Sequence, residues 1–148
     1  MSDEVCELPQ IRPDSKKIDA ILERHRSVAI VGLSRDPEKD SSQVAKYLMD
    51  HGYEVFPINP NAEELLGRTS YPTLEAVPET PEVVCIFRKP SDVGPIVEDA
   101  IKTGAKVVWM QRRIVNNEAG RRAQDAGLQV VMDRCMMVEH RRMSEAAS

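Results

Sequence analysis

The stretch VAIVGL, Val28 to Leu33, is rich in β-branched residues, too short for a buried helix and interrupted by Gly32. It predicts a first strand covered on both faces, as in a parallel sheet. Working outward, Asp14 can cap a preceding helix whose apolar stripe is Ile18, Ile21 and Leu22, ending near His25. On the other side a polar loop leads into Ser42 to His51, with Val44, Ala45, Leu48 and Met49 on one face and Gly52 as a stop. The strand–loop–helix order then repeats. Tyr53 to Ile58, Val83 to Phe87, Lys106 to Met110 and Leu128 to Met132 read as strands. Ser91 to Lys102 and Asn117 to Ala126 read as helices, followed by Gly104 and Gly127. Between the second and third strands, short helices are expected over Ala62 to Leu66 and over Thr73 to Val77.

Strands alternating with glycine-terminated helices predict an α/β, Rossmann-like doubly wound sheet of about five parallel strands with helices on both faces. The expected division is an N-terminal arm over residues 1–13, one domain over 14–143 and a C-terminal tail over 144–148, the residues after the fifth strand and Asp133 being read as a tail without a further element. With 41% apolar residues, 148 residues suffice for one core. A formal net charge of −4 provides no positive field for nucleic acid. The apolar runs are far shorter than the roughly 20 residues that cross a bilayer, so no membrane is expected as partner. An acidic start without an apolar stretch is unlike a secretory leader, and Cys6, Cys85 and Cys135 are too dispersed for a disulfide framework, so the expected location is the cytoplasm.

In a doubly wound sheet the ligand crevice lies beyond the C-terminal ends of the strands, which makes the loops GLSRDPEKDSS, INPN, FRKPSD, MQRR and DRCMM the candidate site. The first loop carries Gly32, Ser34 and Arg35 and enters a helix at Ser41 and Ser42, where amide groups and the helix dipole favour an anion. Either serine would serve equally as a plain helix cap. Arg88 and Lys89 follow the third strand, where a phosphate contact or simple solvation explains them equally well. Pro90 then opens the next helix. Gln111, after Trp109 and Met110, can both donate and accept. The dinucleotide pattern G-x-G-x-x-G is absent, because Leu33, Ser34 and Arg35 follow Gly32, and the second strand runs into Asn59 and Pro60 rather than an acid. An ordinary NAD site is therefore disfavoured. Cys135 beside Arg134 reads as structural or as a reactive thiol. No metal site is inferred from three scattered histidines, and no nucleophile–base pair or carboxylate pair stands out.

Taken together, VAIVGLS at Val28, SSQVAKYL at Ser41, YEVFPINPN at Tyr53, LGRTSYPTLEAVPE at Leu66, VVCIFRKPSDV at Val83, GAKVVWMQ at Gly104 and MDRCMMVEH at Met132 resemble the stand-alone CoA-binding domain family. That family is similar to the N-terminal domain of succinyl-CoA synthetase alpha subunits. The resemblance covers Ile11 to His140. It implies coenzyme A or an acyl-CoA as ligand, with Gly32 and Ser34 in the phosphate turn and Ser41 at the following helix. Asn59 and Pro60 would border the nucleotide, and Arg88, Pro90 and Gln111 would match family segments. Where the family continues W-M-Q with a residue and a glycine, this chain has Arg112 and Arg113. The implied function is non-catalytic binding, as sensor, carrier or regulatory module, with a protein partner or homo-oligomer left open. The alternatives are an NAD(P)-dependent oxidoreductase and an interaction subunit of a CoA ligase.

Overall fold

Asp14 accepts a hydrogen bond from the Lys17 N–H and so starts α1, Ser15–Arg24, in a computed structural model that describes residues 7–147. Next come β1, Ser27–Val31, α2, Asp40–Asp50, and β2, Glu54–Ile58. A small hairpin of β3, Glu64–Leu65, and β4, Arg68–Thr69, leads through a 3-10 turn at Leu74–Ala76 to β5, Val83–Ile86. The chain continues through α3, Val93–Thr103, β6, Val107–Met110, α4, Asn117–Asp125, β7, Gln129–Val131, and α5, Met136–Ala147.

The five long strands form one parallel sheet in the order β2-β1-β5-β6-β7. Ile30 pairs with Pro57 on one side and Cys85 on the other. The expected doubly wound α/β class is what the chain adopts. Alternate residues of each strand supply two cores. Ala29, Val31, Val84, Ile86, Val108 and Met110 pack with α3 and α4, whereas Val28, Ile30, Cys85, Val107 and Trp109 pack with α1, α2 and α5. The chain order reverses direction across the sheet between β1 and β5, and the crevice opens there.

Two local readings are corrected. The helix expected over Ala62 to Leu66 is instead the β3–β4 hairpin, because Leu66 (φ 54°) and Gly67 (φ 74°) are both left-handed, the geometry of a two-residue hairpin turn. Where a tail is expected after Asp133, Met136–Ala147 forms α5. Its polar outer face hides an inner one of Met136, Glu139 and His140, and this buries against α1 and α2. The described part of the N-terminal arm is docked: Asn117 accepts from the Gln10 N–H (2.8 Å) and donates to the Leu8 carbonyl (2.9 Å).

Candidate functional site

Gly32 ends β1 at φ 92°, and a Cβ placed on it would lie 2.7 Å from the Phe87 carbonyl oxygen and 2.9 Å from Cδ of Arg88. Only glycine lets the loop after β5 come this close to the turn after β1. The loop beyond Gly32 is held by its own serines. Ser41 Oγ accepts from the Ser34 N–H (3.0 Å), Ser42 Oγ donates to the carbonyls of Ser34 (3.0 Å) and Asp36 (2.8 Å), and Ser34 Oγ accepts from the Asp36 N–H. Ser41 and Ser42 are both buried, so their hydroxyls shape the loop from behind.

Asn59 ties the second loop to the first. Its Nδ2 donates to the Leu33 carbonyl (2.9 Å) and its Oδ1 accepts from the Asn61 N–H (2.7 Å), while Arg35 donates to the Asn61 carbonyl. The result is a cleft of about 710 Å³ that brings together Gly32, Ser34, Arg35, Asn59, Pro60 and Arg88. Its apolar walls include Leu74 and Ile96. Arg88 pairs with Asp92 at 2.8 Å and stays half exposed, so a cation remains at the cleft. Pro72, Thr73 and Asp99 also line it and were not anticipated from the sequence. Asp99 gives no local signal, since it is one of several charged positions on a surface helix, and only the packing of α3 beside the sheet turns it to the cleft.

The remaining expected residues lie elsewhere. Lys89 is exposed just before the 3-10 turn that Pro90 begins, and the Pro90 carbonyl accepts from Asn116 Nδ2 (3.0 Å). Gln111 is buried on the opposite face of the sheet. Its Nε2 meets Cys85 Sγ at 2.7 Å and its Oε1 accepts from the Met136 N–H at 3.3 Å, so its amide anchors the start of α5. Burial pushes the Cys85 thiol well up from its usual range, which keeps it a neutral core group.

Gln111 also floors a second hollow of about 310 Å³, walled by Val44, Phe87, Ile114 and Met137, with Arg112, Arg113 and Cys135 on its lining. Phe87 belongs to this hollow and its neighbour Arg88 to the cleft, so the two openings adjoin where the loop after β5 crosses Gly32. The two openings lie side by side at the C-terminal edge of the sheet, with Arg35 and Arg88 on the cleft and Arg112 and Arg113 on the hollow.

Known proteins share the family and the fold. A family model described as a CoA binding domain matches residues 26–141. Uncharacterized protein YneT of Bacillus subtilis is 35% identical over 128 residues, covering 86% of this chain and 95% of its own. A hypothetical protein from Pyrococcus horikoshii superimposes with a TM-score of 0.88 at 45% identity, over 97% of this chain and 99% of that one. The dinucleotide-forming acetyl-coenzyme A synthetase 1 of Ca. Korarchaeum cryptofilum matches 77% of this chain at 30% identity and a TM-score of 0.68, but only 27% of its own length. No helix among the described residues is long and apolar enough to cross a membrane. From the family match and the shared fold together, the chain belongs to the CoA-binding domain family.

Proposed function

We propose that this protein binds coenzyme A or an acyl-CoA without catalysing a reaction, as a cytoplasmic binding module of sensor, carrier or regulatory type. The observation that carries the reading is the close approach of Phe87 and Arg88 to Gly32 at the switch between β1 and β5. In this reading the turn, free of a side chain and beside a guanidinium, would receive a phosphate. The ligand's nucleotide would sit in the larger cleft, its phosphates near Gly32, Ser34, Arg35 and Arg88, its adenosine against Asn59 and Pro60. The pantetheine arm would cross at Phe87 and reach the hollow over Gln111. Lys89 and Pro90 would act at the margin, one adding positive charge and the other holding the loop. Coenzyme A, when bound, supplies a thiol; the chain's own residues in this reading only hold and orient it.

A thermal-shift titration with CoA, dephospho-CoA, acetyl-CoA, NAD and NADP tests this. A ligand at a hundred times its Kd stabilises the native state by about 2.7 kcal/mol, which at this chain length corresponds to a Tm rise of roughly 5–10 °C. CoA or acetyl-CoA is expected to give that rise. No CoA shift beside a clear NAD or NADP shift would replace the reading with an oxidoreductase. Co-purification of a ligase chain with this one would favour an interaction subunit.

A further inference from the structure

Arg113 stands at φ 71°, in the left-handed region where a side chain costs about 1–2 kcal/mol relative to glycine. Asp133, two residues beyond β7, is left-handed as well (φ 61°), and its Oδ1 accepts from the Arg113 N–H at 2.7 Å. The loops after β6 and β7 are thus pinned together through two left-handed residues at the sheet edge, of which Arg113 is the strained one, since aspartate tolerates that region. The Arg113 backbone would be easier to hold with glycine. Its guanidinium is exposed, and among the described residues neither Arg112 nor Arg113 has a carboxylate within ion-pair distance of its side chain. The Asp133 contact explains the backbone but not the choice of an exposed arginine there, which suits a ligand.

Both arginines line the hollow over Gln111. Beneath them the walls are apolar at Val44, Phe87, Ile114 and Met137, and the Gln111 amide is already engaged. Among the described residues, the single acid on that lining is Asp40. A group with an aliphatic stem and an anionic end matches this distribution. We propose that Arg112 and Arg113 select acyl-CoAs whose acyl chain ends in a carboxylate, the chain lying along the apolar wall and the carboxylate meeting the guanidinium groups. This inference rests on the CoA reading, since it takes the thioester end of that ligand to reach the hollow.

Calorimetric titration of the full chain with CoA, valeryl-CoA and glutaryl-CoA tests it, the two esters having five-carbon acyl chains that differ in the terminal carboxylate. Glutaryl-CoA is expected to bind about tenfold more tightly than valeryl-CoA. Arg113→Gly should cut that preference and raise the melting temperature by relieving the backbone, and Arg112→Gln with Arg113→Gly should abolish it. Equal binding of the two esters by the unmodified protein, or a preference unchanged in the double variant, overturns the selection while leaving CoA binding intact. Failure of all three ligands to bind overturns the CoA reading and this inference with it.

Discussion

At Gly32 the loop after β5 comes against the turn after β1 with no room for a side chain. Replacing this glycine with alanine would force a Cβ to 2.7 Å from a backbone oxygen at a φ of 92°, and neither atom can swing aside as a flexible side chain would. Gly32→Ala is expected to lower stability by about 2–4 kcal/mol in urea denaturation and to remove the CoA-dependent thermal shift. A variant that keeps both would show that the Gly32 approach is not the phosphate turn. The sequence marks Gly32 as special because it ends a strand, yet only the structure names the Phe87 carbonyl as the reason. The serines illustrate the opposite case. Read from the sequence, Ser41 and Ser42 are as plausible as caps as they are as ligand donors, and in the fold their hydroxyls are taken up by Ser34 and Asp36. Gln111 likewise spends its amide on Cys85 and Met136, a choice that residue spacing cannot show.

Among the elements, α5 was illegible in the sequence because its apolar positions are few. Its docking combines the burial of Met136 with polar contacts, most of them to other segments. Arg142 pairs with Asp19 of α1 (2.7 Å) and with Glu139 (3.1 Å), and Tyr47 OH meets His140 Nδ1 at 2.9 Å. The His140 ring also faces His51 at 5.3 Å and Tyr53 at 5.6 Å. Burial, then the nearby His51 and Arg26, hold the His140 imidazole below its ordinary pKa. A histidine with a lowered folded-state pKa favours folding fully above its unfolded pKa of about 6.5. That contribution is lost as the pH falls towards the folded-state value, because the unfolded chain then binds the proton more readily. The expected outcome is that the unmodified protein loses more stability between pH 7 and pH 5 than His140→Gln does, read from paired urea melts. Parallel pH profiles would show that His140 does not couple the docking of α5 to protonation.

For the molecule as a whole, the two ends of the sheet divide the work. The C-terminal edge leaves cations and a glycine turn open, whereas the N-terminal edge is closed by Glu82. That carboxylate accepts from the Arg26 N–H (3.1 Å), faces His25 Nδ1 at 3.1 Å and reaches Ser27 Oγ, joining the start of β1 to the chain just before β5. Burial alone would raise its pKa, but the bonds from His25, Arg26 and Ser27 outweigh it and leave the pKa below the usual glutamate value. Its contribution is therefore present above the ordinary carboxylate range and lost on acidification through the folded-state pKa. Glu82→Gln is expected to lower stability by about 1 kcal/mol at neutral pH, with the difference from the unmodified protein vanishing in acid and CoA affinity unchanged. A change in CoA affinity with unaltered melting would place Glu82 in the binding path instead.

The sequence by itself determined the class of the fold. Short β-branched runs, each followed by a polar loop and most of the helices by a glycine, leave a parallel sheet covered on both sides as the arrangement that buries every apolar face. It also determined which loops would share one edge, because parallel strands all present their C-terminal ends to the same side. What only the tertiary structure decided is how those loops meet: Phe87 over Gly32, Asn59 on Leu33, Arg113 on Asp133, and α5 on α1 and α2. Local propensity acts over a few neighbouring residues, whereas Arg113 and Asp133 are 20 residues apart and Gln10 and Asn117 are 107 apart. Contacts at that range follow from strand register and helix packing, so the shape and charge of the site emerge only when both cores are closed.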